Sequence, residues 1–242
     1  MNLARSFASK FFCTLLTTAC LWAVNASAQQ TSYPAKPINL IVPFPAGSGT
    51  DAVGRIFATE LSKILGQQVV VENKPGGNAT IAASYVARMQ PDGYTLFLTT
   101  NTSHSAAPWL MKNVSYDPVK DFTPIARGGN LPFILVINPK LPVKSVEELV
   151  AYAKKNPGKL NYASGNSTGI VGGATFAARA GIELVHVPYK GTPQAMTDVV
   201  GGQVDMMFVD VAAGMPLVKS GQLRAIAVST AARSALLPEL PS

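Results

Sequence analysis

Cysteine occurs only at Cys13 and Cys20, and histidine only at His104 and His186. Both cysteines fall in a stretch that reads as a secretory leader. Arg5 and Lys10 form its positive end, Phe11 to Val24 its apolar centre, and Ala26-Ser27-Ala28 its cleavage site. Cleavage after Ala28 leaves residues 29–242 with no thiol, hence no disulfide and no cysteine metal ligand. Two histidines are too few for a histidine-rich metal site. The apolar centre is shorter than the roughly 20 residues of a permanent membrane span.

Charge is sparse, at 14% of residues. The formal surplus of +7 falls by two with the leader and is scattered, Lys154-Lys155 being the one adjacent basic pair. No stripe for nucleic acid results, although a mild positive field favours anionic solutes. No P-loop lysine follows a glycine run and no G-x-G-x-x-G follows the first strand. No nucleophile elbow is expected either, and no cofactor.

What is present is an alternation of apolar strands and helices, the pattern of an α/β fold with parallel sheets. Strands are expected at 38–42, 68–72, 94–100, 133–138, 160–163, 184–187, 204–209 and 223–229. Between them lie helices, the first with apolar positions Val53, Ile56, Phe57, Leu61, Ile64 and Leu65. Ser145 with Glu148 forms a capping box, and Thr192 reads as a cap followed by Pro193. The pattern restarts near Leu131. Two lobes of similar design are expected, 29–130 and 131–230, with residues 231–242 returning to the first.

Four turns that follow strands carry the chemistry. Pro43 to Asp51 joins a buried strand to a helix; Phe44, Ala46, Gly47, Ser48, Gly49, Thr50 and Asp51 are its candidate ligand residues. Helix N-termini leave N–H groups unpaired and carry about half a positive charge, so such a turn suits a small anion. The second turn offers Thr100, Asn101 and His104. The third offers Ser164, Asn166, Ser167 and Thr168, and the fourth Lys190, Gly191 and Thr192. In open parallel sheets, ligands bind beyond the carboxyl ends of the strands, where these turns sit. Each turn also reads as an ordinary helix cap. Asp51 is most simply a first-turn acid, unless it grips a ligand amino group. Lys190 is either solvated or a ligand counter-charge. His104 either polarises a ligand oxygen or is an ordinary loop residue. Asp210 either caps the next helix or lines the cleft, and His186 is structural.

The same residues resemble the Bug-type periplasmic solute-binding proteins of tripartite tricarboxylate transporter systems. The landmarks are Tyr33-Pro34 with Lys36-Pro37-Ile38, the loop Pro43-Phe44-Pro45 through Gly49-Thr50-Asp51, and Val71-Glu72-Asn73-Lys74-Pro75-Gly76. Pro91-Asp92-Gly93-Tyr94, Tyr116-Asp117-Pro118, His186-Val187-Pro188-Tyr189-Lys190-Gly191 and Gly201-Gly202-Gln203-Val204-Asp205 follow. Leu236 and Pro238-Glu239-Leu240-Pro241 complete the set. The resemblance implies a type II, Venus-flytrap fold with a mostly parallel sheet in each lobe. It implies capture of a small mono-, di- or tricarboxylate for an inner-membrane permease, by a monomer that is not an enzyme. It places the ligand against positions 44–51, 164–169 and 190–192, with Asn78 and Ala79 matching a glycine-rich segment that also approaches it. Family members continue further, so an incomplete first lobe with uncovered apolar surface is expected. The alternatives are a ligand-sensing partner of a membrane receptor, or a periplasmic serine hydrolase using Ser48 or Ser167.

Overall fold

The computed structural model describes residues 32–242 except Leu236; the leader and its cleavage site lie outside the described residues. The chain divides at Ala35 into two units, and the larger, Lys36–Ser242, holds both sheets.

Its first half is built on a three-stranded parallel sheet in the order β2-β1-β3. β1 is Ile38–Val42, β2 Val69–Asn73 and β3 Thr95–Phe97. As the central strand, β1 buries Ile38, Leu40, Ile41 and Val42, which is why it reads as a continuous apolar run. Helix α1 (Gly49–Leu65) follows, capped by Ser48, whose Oγ accepts the Asp51 N–H at 3.2 Å. Gly66 ends it in the left-handed conformation. A 3₁₀ turn, Gly77–Ala79, leads into the short α2 (Thr80–Val86). The third strand is shorter than expected. The Thr99 hydroxyl is engaged locally, by Ser103 Oγ at 2.6 Å and His104 Nδ1 at 2.8 Å, and the chain turns into a π-helical turn, Thr102–Ala106. α3 (Ala107–Leu110) closes this part.

The core here is small: Ile38, Leu40, Ala58 and Val69, flanked by half-buried neighbours. A sheet three strands wide covers little of the helices beside it. Ile56 and Ile64 of α1, expected inside, face solvent, as do Trp109 at 89% and Ile125 at 81% exposure.

The second half is a five-stranded sheet in the order β6-β5-β7-β4-β8. Its strands are β4 (Phe133–Ile137), β5 (Asn161–Ser164), β6 (Val185–Pro188), β7 (Met206–Asp210) and β8 (Arg224–Val228). Strands β5, β6 and β7 are mutually parallel, while β4 runs against both β7 and β8. The helices are α4 (Val146–Lys155), α5 (Ser167–Ala180), α6 (Thr192–Gly201) and α7 (Val211–Lys219). α4 begins with half of the expected box: Glu148 N–H donates to Ser145 Oγ at 3.2 Å, while Glu148 Oε2 accepts the N–H of Lys144, one residue before the cap, at 2.6 Å. α6 differs at its start. Gly191 occupies the cap and Thr192 is the first helical residue, with no side-chain cap.

Two apolar clusters fill the faces of this sheet, one around Ile134, Val209 and Val199, the other around Leu135, Leu149 and Met206. The terminal segment departs from expectation. Leu237 is buried in the first of these clusters, and the Val228 N–H donates to Pro241 O at 2.8 Å. Residues 237–241 therefore pack on the second half instead of returning to the first. Apolar burial against β4 and β8 outweighs an extended crossing. The passage between the halves enters beside the end of β8: Ser229 N–H donates to Phe133 O at 2.8 Å, and Phe133 N–H to Ser229 Oγ at 3.2 Å.

Candidate functional site

Because β5, β6 and β7 are parallel, their carboxyl ends, Ser164, Pro188 and Asp210, emerge on one side. They face the turn that leaves β1. A cavity of about 330 Å³ lies between them. The first half supplies Pro43, Phe44, the run Gly76–Ala79, and Met111. The second supplies Ser164–Asn166, Ile170 and Pro188–Lys190. This volume lies at the low end of the roughly 300–1,000 Å³ usual for small-molecule sites.

Lys190 is the one charged residue of this lining, and it takes part in none of the ion pairs of the described residues. α5 starts at the cavity wall. Its cap Asn166 accepts the Gly169 N–H on Oδ1 at 2.9 Å, and the helix's positive end lies close by. Opposite, Gly76, Gly77, Asn78 and Ala79 all have positive φ, of 121°, 55°, 49° and 67°. Asparagine tolerates this region; holding alanine there costs about 1–2 kcal/mol. Strain of this kind is held where surrounding structure demands it, and here it shapes the wall. Among the described residues the Asn78 amide donates to the Met111 sulfur, a weak acceptor, at 3.8 Å.

Four contacts join the halves around the cavity. Ser167 Oγ donates to Thr102 Oγ1 at 2.9 Å, out of solvent, and Asn101 Nδ2 to Thr168 Oγ1 at 3.3 Å. Gly191 lies so close to Pro45 that a Cβ there would sit 2.4 Å from the proline Cγ. Asp210, 5% exposed, caps α7 by accepting the Ala213 N–H at 2.9 Å. The same carboxylate lies against Gly49, where a Cβ would stand 1.9 Å from Oδ1, so it reaches the N-termini of α7 and α1 together. Burial pushes its carboxyl above the ordinary value, against the three backbone N–H groups that favour its charge.

Of the expected ligand residues, Phe44, Asn78, Ala79, Ser164, Asn166 and Lys190 line the cavity. The others do different work. Ser48 caps α1, and Thr50 lies in its first turn. Asp51 is a clamp: its carboxylate, 3% exposed, accepts the Gly47 N–H at 3.0 Å, Arg55 Nε–H at 3.0 Å and Asn73 Nδ2–H at 2.8 Å. Asn73 Nδ2 also donates to Phe44 O at 2.9 Å, so the pair fixes the loop's path. Burial pushes the Asp51 carboxyl up, but the bonds from Arg55, Asn73 and Gly47 together hold it below the usual range. Ala46 and Gly47 form the exposed outer side of the loop. Thr100 Oγ1 accepts the Thr102 N–H at 3.2 Å. Gly191 and Thr192 form the start of α6, and Asn101, Ser167, Thr168, Gly49 and Asp210 form the contacts just described. His104 sits away from the cavity against Phe122, ring centroids 4.7 Å apart, with its pKa lowered by burial.

One expectation from motif reading fails outright. Gly165-Asn166-Ser167-Thr168-Gly169 does spell G-x-S-x-G at a strand-to-helix turn. Ser167 is nonetheless an ordinary first helical residue bonded to Thr102, with no histidine beside it.

Sequence reasoning missed Gly76, Gly77, Met111 and Ile170. The glycine pair after Pro75 was a usable signal. Met111 and Ile170 were not, since an apolar residue lining a cavity reads like one lining a core.

Among the described residues no helix is long and apolar enough to cross a membrane, and no cluster of acidic, histidine or cysteine side chains suits a metal ion.

The family model described as tripartite tricarboxylate transporter family receptor matches residues 53–242. A UPF0065 protein of Bordetella bronchiseptica is 38% identical over 230 residues, covering 95% of this chain and 69% of that protein. Two solved structures from Rhodopseudomonas palustris align over 87% of this chain. Rpa4515 with adipate has 37% identity and a TM-score of 0.83, with 71% of its chain covered. MatC with bound malate has 31% identity and a TM-score of 0.81, with 72% of its chain covered. Matched in sequence over most of its length and in fold over both sheets, this chain belongs to the tripartite tricarboxylate transporter receptor family.

Proposed function

We propose that the chain is a periplasmic binding protein that captures a small organic carboxylate in the cavity between its two sheets and presents it to an inner-membrane permease. The lobes would be 29–130 and 131–230, and the first 28 residues a leader removed after Ala28. The carrying observation is the charge balance of the lining, with Lys190 as the one ionised side chain and the α5 N-terminus nearby. A carboxylate brought there meets positive charge and exposed N–H groups while no lining acid repels it. Phe44, Met111 and Ile170 give apolar walls for a short carbon chain. Relatives of the same fold are known with adipate and malate.

Binding without turnover fits the residues better than hydrolysis. Ser48 Oγ is engaged in capping and Ser167 Oγ with Thr102. Among the described residues neither hydroxyl is hydrogen-bonded to a histidine ring or a carboxylate.

Titration calorimetry of the full chain with adipate, malate and citrate, beside a sugar and a diamine, tests this. At least one carboxylate binds and is recovered unchanged, and Lys190→Met weakens it about tenfold, the worth of one charged hydrogen bond. Binding of the diamine, or a Lys190→Met affinity equal to wild type, would refute the reading.

A further inference from the structure

Ser164 and His186 meet where β5 and β6 reach the cavity. Ser164 is 2% exposed and lines it, and its Oγ lies 2.6 Å from His186 Nε2. This is the one side-chain hydrogen bond the Ser164 hydroxyl makes among the described residues. The imidazole lies on the Tyr162 ring, centroids 4.8 Å apart and planes 24° apart. Burial holds it below its ordinary pKa, so it is neutral at pH 7.

A neutral ring can pair with a hydroxyl in two ways. If Ser164 donates to Nε2, the ring proton sits on Nδ1, which has no protein acceptor among the described residues. The serine proton is then turned away from the cavity. If Nε2–H donates to Oγ, Nδ1 is the acceptor. The half-buried ring sits on the edge strand β6 and no buried side-chain nitrogen lacks a partner among the described residues, so solvent serves Nδ1 in either form. What separates the two is the serine proton, which an acceptor-only carboxylate in the cavity requires. The Ser164 proton is then free, on a buried oxygen at the wall of a cavity whose one charge is positive.

We propose that His186 is a positioning residue that donates Nε2–H to Ser164 Oγ, thereby fixing the serine hydroxyl as a donor to the ligand carboxylate. The inference rests on the carboxylate reading above and adds a role to a residue that sequence reasoning set aside as structural. It accounts for a polar ring on a strand otherwise made of Val185, Val187 and Pro188.

The chain has two histidines, so a sample labelled with ¹⁵N-histidine gives two imidazoles, told apart by His104→Gln. The tautomer is read on the full chain without ligand. Nε2–H at His186 supports the proposal and Nδ1–H overturns it. Affinity for whichever of adipate, malate or citrate binds wild type is then measured for His186→Gln and His186→Phe, each with Ser164 and with Ser164→Ala. Glutamine retains an N–H in reach of Oγ and should hold affinity within about threefold. Phenylalanine should lose about tenfold, as for one hydrogen bond to a charged acceptor. With Ser164→Ala the two should become equal. A phenylalanine loss that persists without the Ser164 hydroxyl overturns the coupling and makes His186 merely structural. If no carboxylate binds wild type, the carboxylate reading fails and takes the hydroxyl's role with it. That outcome is distinct from binding without coupling, which refutes His186 alone.

Discussion

Replacing Asp51 with alanine separates a ligand-contacting acid from a clamp. The carboxylate accepts three hydrogen bonds, from Gly47 N, Arg55 Nε and Asn73 Nδ2. Arg55 is 56% exposed in its side chain, so water replaces that bond at little cost. The bonds from Gly47 and Asn73 are to a buried charge, at about 1.5 kcal/mol each at the low end for charged acceptors. Asp51 also lies in the first turn of α1, where a negative charge contributes about 0.5 kcal/mol. The expected loss is about 3.5 kcal/mol, or roughly 7–14 °C of melting temperature for a chain of this size. Far-UV circular dichroism melts of the ligand-free full chain measure it. The pH dependence adds a signature. The folded pKa of Asp51 lies below its unfolded 3.8, so its stability is complete above that value and disappears as pH falls through the lower, folded one. The gap between wild type and Asp51→Ala should stay constant down to about pH 4 and close below it. A change under about 2 °C, joined to a large loss of ligand affinity, would refute the clamp and restore Asp51 to the ligand.

Gly49→Ala should weaken carboxylate binding at least about tenfold, through faster release measured by stopped flow, because its Cβ would lie 1.9 Å from Asp210 Oδ1 and hold the two halves apart. The thermal melt of the ligand-free protein should move far less than in Asp51→Ala; an unchanged release rate would count against the contact's role in closure. His104 and His186 both have pKa values lowered from 6.5 by burial, so their contribution is complete above pH 6.5 and lost as pH falls through their folded values. The melting temperature should therefore decline on acidification below 6.5, and less so in His104→Gln; a flat profile would show that neither ring is held neutral.

The strand-turn-helix from Ile38 to Leu65 was legible because three local signals agree: an apolar run, a glycine-rich turn, and apolar residues at helical spacing from Val53 to Leu65. The capping box at Ser145 was legible for the same reason. What lay beyond reading was pairing at a distance. An aspartate at position 51 looks the same whether it serves a helix dipole, a ligand or a loop. Only Asn73, 22 residues on, decides it. Likewise Ser164 and His186 are ordinary residues until β5 and β6 pair, which sets His186 opposite Tyr162 and diagonal to Ser164. The reversal of β4 left no mark, since Phe133–Ile137 is apolar in either direction. The tail was misplaced because a short Leu/Pro segment carries no address; the Pro241 carbonyl finds Val228 only once β8 exists.

The meeting of Asp210 with Gly49 sets a tolerance. Two sheets with separate cores approach until one carboxylate touches a main chain that carries a hydrogen atom where any other residue carries carbon. The protein thus brings its own anion to the helix end that a sequence reader would reserve for a guest. Under the proposed reading a visiting carboxylate would be displaced toward α5 and Lys190, and the grip on it would be gauged by the absence of one methyl group.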